Sequence, residues 1–145
     1  NLAGREGQGI VTPADAAALA GELREKLTAL RDPASGRRVV VRVDRSEDVY
    51  SAERRAEGPD LIVGYDRGYG ASDESTLGEI TESVMEDNTS RWSGNHLMAP
   101  EVVPGILVTN RKLTGSGYDL TDLTVTLLAY YGIDPAPGMV GEAIH

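Results

Sequence analysis

His96 is the residue of this chain whose side chain and setting best suit chemistry. It ends the turn-like stretch Trp92-Ser93-Gly94-Asn95-His96 and precedes a Pro-flanked loop and the apolar run 105–109. A neutral imidazole is the commonest protein metal ligand and the usual general base near neutral pH. The one other histidine, His145, is expected to be solvated and not a ligand. A single histidine makes neither a metal site nor a catalytic site, so His96 indicates one part of an active site.

The remaining polar candidates have simpler structural explanations. Asp119 and Asp122 stand three residues apart before an apolar helical pattern, where two carboxylates are expected to cap the helix. Trp92 is expected to be a packed structural residue rather than part of a substrate pocket, and 66–69 a solvated loop rather than a binding turn. His96 itself also fits a surface turn without a ligand role. No general base stands near the serines in the sequence, so a serine nucleophile is not predicted at Ser72, Ser75 or Ser116.

Composition and charge exclude several classes of protein. The 145 residues suffice for one domain, and 40% hydrophobic with 26% charged residues is typical of a globular chain. A net charge of -9 with scattered basic residues argues against nucleic-acid binding, which needs clustered Lys and Arg. Without cysteine there are no disulfides or thiolate ligands. No apolar run reaches the ~18 residues of a membrane span and no signal-like segment is present, so we expect a soluble chain and favour the cytoplasm.

The N-terminal half shows a helix followed by two strands. Thr12 and Pro13 predict a helix start, and leucines at helical spacing predict one apolar stripe. The turn residues 32–36 end the helix. The β-branched run 38–45 predicts a strand, Ser46 is expected to cap a helical turn after it, and 60–65 predicts a second, buried strand. The stripe consists of Leu19, Leu23, Leu27 and Leu30.

The C-terminal half is predicted to hold a long loop, a strand and a helix. Segment 66–95 lacks periodicity and should form at most one short helix. The apolar run 105–109 predicts a third strand. Asp119 should cap a helix that ends at Gly132 in a Schellman motif. This order of elements predicts a layered α/β domain over 1–145. The predicted core face of the helix is Leu120, Leu123, Leu127, Leu128 and Tyr131.

Several of these motifs together carry a family likeness. The pattern W-S-G-N-H at 92–96, V-P-G-I-L at 103–107, the Asp119-led helix ending in Gly132-Ile133, and Met139-Val140-Gly141 resemble the C-terminal part of the alkaline phosphatase superfamily. The most similar branch is the type I phosphodiesterase/nucleotide pyrophosphatase group. Residues 1–6, 9–11, 31–33 and 110–111 also look like this branch. One position departs from the pattern, because Asn95 stands where many relatives have Asp.

The resemblance implies a hydrolase of phosphate esters that uses two divalent metal ions, usually zinc. In that family a Thr or Ser nucleophile attacks phosphorus between the metals, which stabilise the attacking and leaving oxygens. Of the family's metal ligands only one matches here, and it is His96. An Asp before this histidine would orient the imidazole, whereas Asn95 accepts a hydrogen bond without charge. The S-D-H-G nucleophile segment and the other ligands are absent from these residues, so they are expected upstream of Asn1.

We therefore expect the C-terminal portion of an alkaline-phosphatase-like α/β fold, belonging to a longer hydrolase and inactive alone. No catalytic residue is assigned within the chain, and His96 is its one predicted metal ligand. The expected partner of the longer protein is a small phosphate-ester substrate, and we predict self-association of the isolated chain through exposed apolar patches. The alternative is an acidic α/β binding or scaffold module without catalysis. What precedes Asn1 discriminates the two hypotheses.

Overall fold

The computed structural model describes residues 1–94 and 96–145, apart from the side chain of Thr76. Their contacts divide the chain into two compact units, Asn1–Pro104 and Gly105–His145, and each is described by itself. The described elements, in chain order, are α1 (Pro13–Ala29), β1 (Val40–Arg45), α2 (Ser46–Val49), a 3₁₀ turn (Arg55–Glu57), β2 (Leu61–Tyr65), α3 (Asp73–Thr76), a 3₁₀ turn (Pro100–Val102) and α4 (Leu120–Tyr130).

Helix α1 begins as its sequence predicts. The Thr12 hydroxyl accepts a hydrogen bond from the backbone N–H of Asp15 at 3.2 Å, and Pro13 occupies the first helical position. Only part of the predicted apolar stripe packs against the core. Leu27 and Leu30 pack against the core, whereas Leu19 and Leu23 stay exposed in this unit.

The core of the first unit lies on a two-stranded antiparallel sheet. Strand β1 pairs with β2 in the register Val43 opposite Val63, with an irregularity near the start of β1. Both predicted strands are confirmed, and the chain has mixed α/β character. Val39, Val40 and Val43 form the buried cluster, against which α1 and several partly buried side chains pack. Strict alternation along a strand would not bury both Val40 and Val43, which are three residues apart, but the register shift between Val40 and Arg42 interrupts that alternation. Those side chains include Leu61, Val63, Tyr65, Tyr69 and Met85.

Ser46 does not cap α2, contrary to the prediction. Arg45 occupies the N-cap position without a side-chain hydrogen bond, and Ser46 is the first helical residue. The backbone N–H of Ser46 instead donates to the carbonyl of Asp60 at 3.0 Å, which extends the pairing of the two strands. Strand pairing therefore places the helix start one residue earlier than the sequence pattern indicates.

Segment 66–94 contains one short helix, α3, which agrees with the expected limit of one, but it lies before the apolar set Leu77, Ile80, Val84 and Met85 on which the sequence pattern placed it. The Ser72 hydroxyl accepts from the backbone N–H of Glu74 at 3.2 Å and caps it. The helical-spaced apolar residues that follow remain outside any described helix and are largely exposed, Ile80 at 98%. Met85 is the exception, because it packs against the β1 cluster.

Helix α4 organises the second unit, and both its ends follow the sequence. Asp119 and Asp122 form a capping box, so their capping role is confirmed. At the other end Gly132 is left-handed with φ 67°, and Ile133 N–H donates to the Leu128 carbonyl at 2.9 Å. With the Gly132 N–H donating to the Ala129 carbonyl at 3.1 Å, this is the predicted Schellman motif.

The C-terminal segment 141–145 lies along α4 and determines which face of the helix is covered. The backbone N–H groups of Glu142 and Ile144 donate to the Asp122 carboxylate and the Thr126 hydroxyl, each at 2.9 Å. A Cβ at Gly141 would stand 2.4 Å from the Thr121 carbonyl oxygen, so only glycine fits at this crossing. The side chain buried on α4 is consequently Val125.

Two predictions for the second unit are wrong. Run 105–109 is not a strand, because the described residues of this unit contain no other strand to accept its hydrogen bonds. The predicted core face of α4 is also wrong in three of its five members. Leu123 and Leu128 are half-buried, but segment 141–145 covers a neighbouring face and leaves exposed Leu120, Leu127 and Tyr131.

Candidate functional site

The segment that carries His96 is held at the end of β2. Met98 forms a parallel bridge with Tyr65, and the Ala99 N–H donates to the Tyr65 carbonyl at 3.0 Å. Ala99 is fully buried, and a Cβ added to Gly64 would lie 3.0 Å from the Cβ of Ala99. Glycine on β2 therefore permits this backbone approach, which fixes the chain two to three residues beyond His96.

Two arginines secure the chain just after this bridge. The Arg42 guanidinium of β1 donates to the Glu101 carboxylate at 3.0 Å, and it also pairs with Asp44 at 2.8 Å. The Arg67 guanidinium donates to the Val102 carbonyl at 3.0 Å. Residues 98–102 are thus attached to both β1 and the turn after β2, so the base of the His96 segment is defined by several independent contacts.

His96 itself lies in a bend and is exposed. Among the described residues, no hydrogen bond or ion pair occupies its imidazole. Asn95, the position that departs from the family pattern, lies outside the described residues. Within the described part of the chain no three His, Asp or Glu side chains are grouped closely enough to hold a metal ion. These residues therefore offer a single exposed imidazole, not a ligand set, and do not by themselves fit a metal centre.

The other sequence candidates are dispersed. Trp92 is 86% exposed, so the expectation that it is a packed structural residue is wrong. Asp66 to Tyr69 is not merely a solvated loop, since Asp66 and Tyr69 are half-buried and hydrogen-bonded. Ser72, Ser75 and Ser116 are distant from His96 in the sequence, and none of them is assigned as a nucleophile. His145 contributes its backbone, because its carbonyl accepts from Thr114 Oγ1 at 2.8 Å.

A polar cluster around Asp32 was missed by the sequence reasoning. The Asp32 carboxylate accepts hydrogen bonds from the Ser35 hydroxyl, from the Ala34 N–H at 2.9 Å and from the Tyr69 hydroxyl at 2.8 Å. These donors, Ser35 first, lower the pKa of Asp32 to about 2 because they stabilise its charged form. The turn 32–36 was recognisable from the sequence, but its long-range donor Tyr69 was not.

The guanidinium of Arg37 completes this cluster. It lies 5.5 Å from the centre of the Tyr69 ring, in cation–π geometry, and donates to the Arg67 carbonyl at 3.1 Å. The neighbouring Asp66 accepts from the Arg67 N–H at 2.8 Å and from Arg38 at 3.4 Å. Its pKa is lowered, first by the Arg67 backbone N–H and then by Arg38. Arginine and aspartate side chains are therefore both grouped near the turn after β2.

A separate cavity of about 480 Å³ lies between the N-terminal segment, α1 and the start of β2. Its walls combine alanines and leucines of α1 with the forked ion pair of Arg5 and Asp60, whose two hydrogen bonds measure 2.8 and 2.7 Å. Mutual pairing lowers the pKa of Asp60 and raises that of Arg5. His96 is not among the lining residues, so this cavity and the sequence-predicted site do not coincide.

Comparisons of the chain with protein-family models, curated proteins and solved structures gave no match. Among the described residues, none of the helices combines the length and apolar composition needed to cross a bilayer.

Proposed function

We propose that this chain is the C-terminal part of a metal-dependent phosphodiesterase or nucleotide pyrophosphatase-like hydrolase of phosphate esters. In this proposal His96 supplies one nitrogen ligand to a site of two divalent metal ions, usually zinc. The nucleophile and the remaining ligands come from a part of the protein outside these 145 residues. The fold of the longer protein is an alkaline-phosphatase-like α/β fold, as the motif pattern at 92–141 implies.

The observation that carries the proposal is the setting of His96. Its exposed imidazole has no partner among the described residues, while the chain beyond it is fixed by Ala99 and the Met98–Tyr65 bridge. A metal ligand needs a free nitrogen on a backbone that other contacts hold in place. A surface histidine without a ligand role needs neither a restrained backbone beside it nor the motif at 92–96, whereas His96 has both.

The unpaired apolar run 105–109 gives independent support for an incomplete fold. Its residues have strand character, but Ile106 and Val108 are 92% and 86% exposed. A strand of this composition normally lies inside a sheet, with its backbone hydrogen-bonded on both sides. We propose that this run joins the central sheet formed with the rest of the longer protein.

Within the proposal, the bound metals stabilise negative charge on the attacking and leaving oxygens of the phosphate ester. The role of His96 is to donate the lone pair of one ring nitrogen, which requires the neutral imidazole. The contacts of Ala99 and Arg42 hold the backbone just beyond His96, so that less of the chain has to be ordered when the site assembles.

Hydrolysis of bis-p-nitrophenyl phosphate in the presence of zinc tests the proposal directly. The purified 145-residue chain is expected to show no rate above the blank, because one ligand neither retains a metal nor supplies a nucleophile. A longer protein that contains these residues and an upstream nucleophile motif is expected to hydrolyse the ester. Zinc-dependent hydrolysis by the 145-residue chain that His96→Ala abolishes would contradict the incomplete-site proposal.

A second candidate function is a binding or scaffold module without catalysis. The observation that favours it is the exposed apolar surface of α4, which includes Leu127 and Tyr130 at 61% and 63% exposure. Exposed apolar patches promote association. Light scattering at high concentration is expected to give a mass above that of one chain, and Leu127→Glu to reduce it. A monomeric mass throughout would count against both the module and the predicted self-association.

A further inference from the structure

Several arginines near the turn after β2 form no ion pair with a carboxylate among the described residues. The Arg37 guanidinium donates to the Arg67 carbonyl, and that of Arg67 donates to the Val102 carbonyl. Arg31 donates to the carbonyls of Thr28 and Leu30. A carbonyl oxygen orients a guanidinium without cancelling its charge. Among the described residues, Arg31, Arg37 and Arg67 form no ion pair.

The net charge around the turn after β2 is opposite in sign to the net charge of the whole chain. Arg37, Arg38 and Arg67 surround the turn that carries Asp66 and the Tyr69 hydrogen bond to Asp32, so three positive and two negative charges leave +1. The chain as a whole carries -9. A positive patch on an acidic protein attracts anions locally while the rest of the surface repels them, which concentrates anion binding at one position.

The two central guanidiniums are also restrained in position. Arg37 stacks on the Tyr69 ring at 5.5 Å, and the Tyr69 hydroxyl is fixed by Asp32 at 2.8 Å. Arg67 is fixed by Val102, whose turn is attached to β1 through Arg42 and Glu101. Each exposed guanidinium retains N–H donors that these contacts do not use. Restraint before binding lowers the entropy cost of ordering long side chains around a ligand.

We propose that Arg37 and Arg67 form a binding site for a phosphate dianion, either free phosphate or the phosphate group of a small monoester. Two guanidiniums without an ion-pair partner among the described residues match a doubly charged oxyanion better than a monovalent carboxylate, and the guanidinium fork suits phosphate oxygens. Arg38 strengthens the local potential and keeps Asp66 paired at 3.4 Å. This site does not depend on the role proposed for His96, and its failure would leave that role unaffected.

Titration of the full chain with inorganic phosphate, glycerol phosphate and acetate, followed by NMR, tests the site. The Nε–Hε signals of Arg37 and Arg67 are expected to shift with phosphate and glycerol phosphate, with a Kd of about 1 mM. Acetate should bind at least several-fold more weakly. Binding that fails to move these two signals, or acetate binding equal to that of phosphate, would overturn the proposal without requiring any variant.

Matched variants separate a specific site from general attraction. Arg37→Gln and Arg67→Gln are each expected to weaken phosphate binding about tenfold, since each removes a charge-assisted contact. Arg37→Lys should retain part of the affinity, because it keeps the charge and loses the fork. Arg54→Gln removes the same charge from an exposed arginine already paired with Glu57 at 3.2 Å and serves as the control. Equal weakening by Arg37→Gln and Arg54→Gln would contradict the site.

Discussion

The valine cluster of β1 and the apolar residues of segment 77–94, Met85 excepted, lie in opposite environments. Val40 is fully buried between α1 and the sheet, whereas Val84 is 85% exposed. The difference does not lie in the side chains, which are identical. It lies in the supply of partners, because β1 has a paired strand and a covering helix and segment 77–94 has neither. The stability of this chain is therefore expected to be concentrated around β1.

The same substitution in the two regions should give the largest difference. Val40→Ala is expected to lower the free energy of unfolding by about 2–3 kcal/mol, because it removes buried methyl groups and leaves a cavity. Val84→Ala should change it by less than about 0.5 kcal/mol. Urea unfolding followed by circular dichroism measures both. Equal effects would mean that Val84 is packed in solution and that the comparison fails.

A methyl group at Gly64 tests the contact between the sheet and the His96 segment. Gly64→Ala should cost about 1–3 kcal/mol, because its Cβ would approach Ala99 to 3.0 Å in a packed position. Gly94→Ala meets nothing within 4 Å and serves as the control. Thermal unfolding of the two variants should separate them clearly. A neutral Gly64→Ala would show that Ala99 does not lie against β2.

Hydrogen exchange compares segment 80–94 with helix α4 without any substitution. Between described residues of 80–94 no backbone–backbone hydrogen bond forms, whereas the α4 amides are bonded along the helix. Amides of this segment are therefore expected to exchange at least about tenfold faster than those of 124–130. Equal protection of the amides in 80–94 and 124–130 would identify segment 80–94 as part of the core and would contradict its interpretation as a loop.

The pH dependence at Asp32 should be the smallest of these effects. Hydrogen bonds lower the pKa of Asp32 to about 2 in the folded chain, below its ordinary value of 3.8. Its contribution is therefore fully present above about pH 4 and is lost as the pH falls toward 2. The stability difference between the wild type and Asp32→Asn should shrink over that window. Tyr69→Phe should shift the loss to higher pH, and a difference independent of pH would contradict the assignment.

Local patterns predicted the elements of this chain better than their packing. The Thr12 and Asp119 caps, both strands and the Gly132 helix end each depend on neighbours in sequence, and each was found. The strand at 105–109 was not found, because a strand also needs a partner that no local pattern supplies. The covered face of α4 was wrong for a related reason, since a distant segment lies along the helix and decides which side is buried.

The candidate site, too, could be predicted only in its local features. Its motif identified His96, but the contacts that hold the segment come from Tyr65, Arg42 and Arg67, far away in sequence. The Asp32–Tyr69 hydrogen bond joins residues 37 positions apart and had no counterpart in the sequence pattern. Close approach at Gly64 was also invisible, because a glycine within a strand pattern does not reveal which chain approaches it.

The most direct test of the central claim is the effect of His96 on metal content and activity in a longer protein that contains these residues together with the proposed nucleophile motif. His96→Ala is expected to lower kcat/KM for bis-p-nitrophenyl phosphate by roughly 100-fold or more, since residues that merely orient metal ligands already cost 10–100-fold. It should also reduce the bound zinc, while His145→Ala, the matched control, leaves both unchanged. If His96→Ala retained the zinc and the activity of His145→Ala, His96 would not be a metal ligand.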